Sequence, residues 1–297
     1  MTASSSRPYV GPADQDAMLD MVRARPAARF DDFPGIIDLQ EMLGLEEIRA
    51  NTCLWEDDEH DLVGYAILDE TNLFYELATP DLFPQVLTWA EQQLRAAAPE
   101  SPVLETSCRE ADVAWIEMLE RHGFVRQDGG AVHMRCSLRD PLPEPVLPAD
   151  FTIRPIAGEQ EVEAHVALHR AAWGTENMMV EYRLAMMRTP TYDPTLDLVV
   201  VAPDGRLAAY CMCYISPEEN RLSGRQDGYT DPMATHPDFQ RRGLAKALML
   251  AGMHLLRERG MEAARLSTGC DNVVMQRAAA GVGFQVDFRT VWFARSL

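Results

Sequence analysis

Six consecutive residues, Gln240-Arg241-Arg242-Gly243-Leu244-Ala245, sit where a turn runs directly into a stretch with apolar residues at helical spacing. The first amides of a helix lack internal partners, and the helix dipole leaves partial positive charge there, so such a junction suits an anion. A glycine lets the backbone close around a phosphate without a Cβ in the way. Arg241 and Arg242 add charge suited to a diphosphate. On loop chemistry alone the same residues also read as a basic helix cap on a solvated face.

Other elements must position this turn. Ala263 to Thr268 reads as a strand following the helix. Upstream, Leu196 to Ala202 and Arg206 to Ile215 form a predicted hairpin across Pro203-Asp204-Gly205, where Pro sets φ and Gly permits a left-handed turn. Glu161 to Ala172 and Met178 to Met187 have helical spacing, and Phe151 to Ile156 alternates like an opening strand. Before it, Arg139 to Asp150 is proline-rich with no hydrophobic period, an extended linker. A domain boundary is therefore expected near residue 148, with domains 1–148 and 149–297. Alternating strands and helices imply an α/β fold.

Composition narrows the function. A chain of 297 residues suits two domains, and 47% hydrophobic content supports proper cores. No apolar run approaches the roughly 20 residues that span a bilayer, and the N-terminus lacks an apolar signal core. A cytoplasmic protein without membrane association is the expectation. The formal charge of −19 argues against nucleic acid and is compatible with a cationic amine ligand. Six scattered cysteines show no zinc spacing, so no metal is expected; Cys211 and Cys213 fall on one face of a strand-like run.

Gln240 to Ala245 resembles the Q/R-x-x-G-x-G/A signature of the GNAT superfamily of acyl-CoA-dependent N-acyltransferases. Asp231 to Pro237 resembles the strand and turn that enter that family's pyrophosphate loop, and Asn272 precedes Gly283-Phe284 at the family's spacing. The resemblance implies a mixed sheet that splays open to admit the pantetheine arm of acetyl-CoA. It assigns the pyrophosphate to Gln240, Arg241, Arg242, Gly243, Leu244 and Ala245, the arm to Met233, Ala234 and Thr235, and a further cofactor contact to Asn272. A backbone amide near Met233 to Thr235 would polarise the thioester. Met233 also reads as core, and Asn272 as an Asx turn. Asp231 is the first candidate for the base that deprotonates the amine, with Glu176 and Glu181 as alternatives, and it equally reads as capping a turn. The family's usual acid, a tyrosine seven residues after the Asn, is here Ala279; Tyr229, Tyr210, Tyr214 and Cys270 are substitutes among which the sequence does not choose.

The first half looks like a diverged copy. Leu62 to Ala66 parallels Leu207 to Cys211, Gly123-Phe124 parallels Gly283-Phe284, and Ala78 to Asp81 parallels Ala234 to Asp238 with one insertion. Its Leu82 to Trp89 has no glycine or arginine, and Pro84 removes an amide that a phosphate would need. The expectation is two GNAT-like domains of α/β (α+β) class, the first without a working cofactor loop and walling the acceptor cleft, the second an N-acetyltransferase of small amines. The layout also resembles the two-domain mycothiol synthases, which acetylate a cysteinyl amine. The competing expectation is a non-catalytic acyl-CoA-binding regulator, motivated by Ala279; a third is an acyltransferase of protein amines. Either a monomer or a homodimer fits.

Overall fold

The computed structural model describes residues 4–97 and 102–297. The chain divides into two compact units, residues 1–130 with 289–297, and residues 131–288. The proline-rich segment near 148 thus lies inside the second unit, not between two halves. Its lack of regular structure matches its composition, but two long strands divide the chain instead.

The first unit contains β1 (Ser5–Pro8), α1 (Pro12–Arg23), α2 (Ile36–Leu43), α3 (Glu46–Ala50), β2 (Thr52–Glu56), β3 (Leu62–Asp69), β4 (Asn72–Leu77), α4 (Phe83–Ala97), β5 (Val103–Arg109) and α5 (Val113–Arg121). β1 to β4 pair antiparallel in chain order. β5 meets β4 in one parallel register pair, Asn72 with Glu105. On its other side β5 pairs antiparallel with residues 290–296, the end of the chain. A short 3₁₀ turn, Pro80–Leu82, passes straight into α4. There Phe83, wholly buried, packs its ring on Tyr75, His122 and Phe124 at 5.3, 5.2 and 6.3 Å.

The long strand β6 (Val125–Ser137) leads into the second unit, with β7 (Thr152–Pro155), α6 (Val162–Trp173), α7 (Val180–Met187), β8 (Asp197–Val201), β9 (Leu207–Met212), α8 (Pro217–Ser223), β10 (Asp227–Tyr229), β11 (Met233–Thr235), α9 (Leu244–Glu258), β12 (Ala263–Gly269), α10 (Val273–Ala280) and β13 (Gln285–Ser296). β11, β9, β8 and β7 form an antiparallel sheet in that order. A second set runs residues 131–137 of β6, then β12 antiparallel, then β10 parallel to β12. The fold is thus mixed α/β, as expected. Leu248 and Met253 of α9 join Ala209 and Cys211 of β9 and Leu266 of β12 in the main core. Cys211 and Cys213 do share a face, with sulfurs 3.5 Å apart. α9 comes close to the sheet at Gly252, where an added Cβ would meet Cys213 Sγ at 2.5 Å and Thr230 Cγ2 at 3.5 Å.

On the opposite face, α6 and α7 bury polar side chains. Arg183 and Asp197 form a buried ion pair, to which Tyr192 donates a hydrogen bond at 2.6 Å. Tyr210 Oη lies 2.7 Å from His169 Nδ1 and accepts from Trp173 Nε1 at 3.3 Å. His165 leans on the Tyr210 ring at 4.4 Å, and neither of its ring nitrogens finds a partner among the described residues. Burial, and next the charge of Arg183, push its pKa down to about 2.

Two stability consequences follow. Gly252→Ala gains helix propensity but crowds a sulfur, and it should cost about 1–3 kcal/mol in urea unfolding; a stabilised variant would contradict the close approach. In the unfolded chain His165 takes a proton below about pH 6.5, whereas in the folded chain it stays neutral. The unfolded state therefore binds more protons on the acid side. Stability should fall by up to about 1.4 kcal/mol per pH unit below about 6.5. His165→Leu should flatten that part of the slope, and an unchanged slope would refute the assignment.

Candidate active site

Between Asp227 and Thr235 the chain changes partners. β10 runs beside β12, pairing Tyr229 with Arg265, whereas β11 runs beside β9, pairing Met233 with Cys211. Thr230, Asp231 and Pro232 belong to neither strand. The Thr230 amide still donates to the Arg265 carbonyl at 2.9 Å, while the Pro232 carbonyl already accepts from Met212 N–H at 3.0 Å. Past this point β12 continues along β6, β11 follows β9, and the two sheets part.

Asp231 sits in the fork. Its Oδ2 accepts from the Ser267 amide at 2.8 Å and the Ser267 hydroxyl at 3.0 Å. The expectation of Asp231 on the strand before the loop is corrected here: it lies between two strands, because Pro232 can give no amide to a ladder. Ser267, which holds it, carries almost no mark of this role in the sequence. The only signal was its place as an outward residue of Ala263 to Thr268.

Backbone polarity along the fork follows from register. The Pro232 carbonyl and His236 amide both face β9, since His236 N–H donates to Ala208 at 2.9 Å. By alternation Ala234 faces β9 as well, and Met233 and Thr235 turn their amides and carbonyls to the open side. Gln240 Nε2 reaches the Thr235 carbonyl at 3.4 Å. On β12 the Arg265 carbonyl and Ser267 amide face the fork but are taken by Thr230 and Asp231, and the Gly269 carbonyl accepts from Asn272 N–H and Gln276 Nε2, both at 3.0 Å. The β11 edge thus looks into the opening, an arrangement that accepts an extended amide-bearing ligand.

At the far end of β11, a 3₁₀ turn (Pro237–Phe239) leads to the glycine loop. Arg241 and Gly243 are both left-handed, with φ of 61° and 82°. Gly243 is the N-cap of α9, and Ala247 N–H makes the first bond back to it at 3.0 Å. The amides of residues 241–246 donate to no protein acceptor among the described residues. A Cβ on Gly243 would meet nothing within 4 Å, so the glycine is needed for its φ rather than for clearance. Arg242 lies over the Phe239 ring at 5.7 Å and donates to the Asp238 carbonyl at 3.3 Å. Arg241 is exposed.

The remaining candidates are dispersed. Asn272 Oδ1 caps α10 by accepting from Met275 N–H at 3.1 Å, the turn role that competed with cofactor contact. Ala279 is wholly buried in the main core. Tyr210 is engaged by His169 and Trp173, and burial pushes its pKa up to about 12. Tyr214 and Tyr229 stack face to face at 4.5 Å. Glu176 pairs with Arg170 at 3.0 Å, and Glu181 is exposed in the first turn of α7. Among the described residues no group of three or more His, Cys, Asp or Glu could hold a metal, and no helix is long and apolar enough to cross a membrane.

Comparison with known proteins agrees with this geometry. Residues 162–284 match the Acetyltransferase (GNAT) family. Mycothiol acetyltransferase of Saccharomonospora viridis is 26% identical over 250 residues, covering 79% of this chain and 80% of that protein. A GCN5-related N-acetyltransferase from Sphaerobacter thermophilus superposes with a TM-score of 0.71 at 20% identity, covering 99% of this chain and 95% of that one. A tandem GNAT protein from the clavulanic acid biosynthesis pathway gives 0.70 at 15% identity, covering 100% and 98%. Residues 162–284 thus carry the likeness to the GNAT family of acetyltransferases, and the chain as a whole has the fold of tandem GNAT proteins.

Proposed function

We propose that the second unit transfers an acetyl group from acetyl-CoA to a primary amine of a small molecule. The observation that carries this is the fork: an open backbone edge at Met233 and Thr235 with a helix N-terminus at one end and an anchored carboxylate at the other. The amides of residues 241–246, with Arg241 and Arg242, would take the pyrophosphate. The β11 edge would pair with the pantetheine amides, and one of its N–H groups would polarise the thioester carbonyl. Asn272 would contact the cofactor through whatever its capping oxygen leaves over.

In this mechanism the amine nitrogen attacks the carbonyl carbon, and the bond to sulfur breaks as the new C–N bond holds. An amine with an ordinary pKa of roughly 10 must lose its proton first, which is the task assigned to Asp231, directly or through a water. Two hydrogen bonds from Ser267 fix the position of Oδ2. Ala279 supplies no acid, and under the transfer reading the thiol, with a pKa of about 8.5, leaves as thiolate at modest cost. The second reading, a protein that binds acyl-CoA without transfer, is motivated by alanine at 279, where the resemblance implies an acid. The likeness to mycothiol acetyltransferase makes a cysteinyl amine one acceptor to test.

The deciding experiment incubates the full chain with acetyl-CoA and a panel of amines and follows acetylated product by mass spectrometry. Turnover with any amine, abolished by Gly243→Glu, supports transfer; tight acetyl-CoA binding without product across the panel supports the second reading. Asp231→Asn should lower kcat by about 10²–10⁴ with acetyl-CoA affinity retained. Unaltered kcat would remove Asp231 from the base role.

A further inference from the structure

Phe239 ends the 3₁₀ turn that leads to the glycine loop, and its ring is buried in the main core. Two guanidiniums lie against that ring, Arg206 at 4.6 Å and Arg242 at 5.7 Å from its centroid. Phe151, just before β7, meets the same ring edge to face at 6.0 Å. Arg242 lies 6.0 Å from the Phe151 centroid as well, so it rests on a pair of rings.

The arginines here differ in what neutralises them. Arg206, from the turn after β8, donates to Asp204 at 2.8 Å and to Asp238 at 2.9 Å, so two carboxylates meet its charge. Arg242 donates only to the Asp238 carbonyl, at 3.3 Å, and meets no carboxylate among the described residues. One hydrogen bond of that length is weak. What keeps the Arg242 charge in place beside the glycine loop is therefore the aromatic pair. Arg241 is exposed, and its side chain has no partner among the described residues. Ordering a long side chain on a ligand costs rotamer entropy, and a side chain already seated on rings has lost much of it before the ligand arrives.

We propose that Phe239, backed by Phe151, is a positioning residue for the glycine loop: its ring seats the Arg242 guanidinium by cation–π attraction. Arg242, and not Arg241, is then the side chain that contributes most to holding a diphosphate there. Arg206 supports the seat from the same ring, and its bond to Asp238 steadies the residue whose carbonyl Arg242 uses. This role rests on the acyl-CoA-binding part of the proposed function and is independent of whether transfer follows.

Calorimetric titration of the full chain with acetyl-CoA tests the seat. Arg242→Gln should weaken binding about ten-fold or more, and Arg241→Gln should weaken it less. Phe239→Leu should weaken it about two- to ten-fold, and should add nothing once Arg242→Gln is present. Because leucine also alters core packing, a second series keeps the ring: 4-fluoro- and then 3,4,5-trifluorophenylalanine in place of Phe239. Fluorine draws electron density from the ring face, so affinity should fall stepwise along the series, and the series should be flat in the Arg242→Gln background. A flat series in the unaltered chain, a slope that persists without Arg242, or an Arg241→Gln loss as large as that of Arg242→Gln overturns the role of Phe239 and leaves acyl-CoA binding standing. No binding of acetyl-CoA to the unaltered chain sinks both. A stepwise series without acetylated product supports the seat and counts against transfer.

Discussion

The second unit depends on one change of partner: a strand that leaves β12 after Tyr229 and joins β9 from Met233 onward. Sheets close by default, because unpaired amides and carbonyls are costly when buried. Holding one open requires that something else satisfy the strand at the point of departure. Pro232 breaks the ladder from one side, and the Asp231 carboxylate takes the Ser267 amide that the missing strand would have engaged. The opening, its β11 edge and the orientation of the loop beyond β11 follow from that substitution of a side chain for a strand.

Most of this unit was legible in the sequence because its signals are local. The hairpin turn at Pro203-Asp204-Gly205, the periodic helix after Gly243 and the alternating run from Ala263 each announce themselves within a few residues. The glycine loop was legible too, although its reason differed: Gly243 answers to a positive φ and not to crowding. What stayed hidden depends on residues far apart in the chain. Ser267 lies 36 positions from Asp231, and Arg135 lies 92 from Asp227. Nothing in the spacing of either pair marks them as neighbours.

The proline-rich stretch at 139–150 was misleading for a physical reason. Low hydrophobicity identifies a segment without regular structure, but not whether compact units meet there. His254 of α9 in fact lies 3.0 Å from the Pro143 carbonyl, so the segment lies on the second unit like any other surface loop. In the first unit, by contrast, absence was informative. Where the second unit places four residues between its 3₁₀ turn and α9, the first places none between Leu82 and Phe83. The buried Phe83 ring then occupies the helix start, where the second unit has its glycine loop.

The division of the chain at residues 130 and 289 has a consequence in time. The final nine residues belong to the first unit, where residues 290–296 lie along β5 and Val291 and Phe293 enter the core. During synthesis the chain emerges from its N-terminus. The first unit therefore waits, one strand short, until the whole of the second has been made.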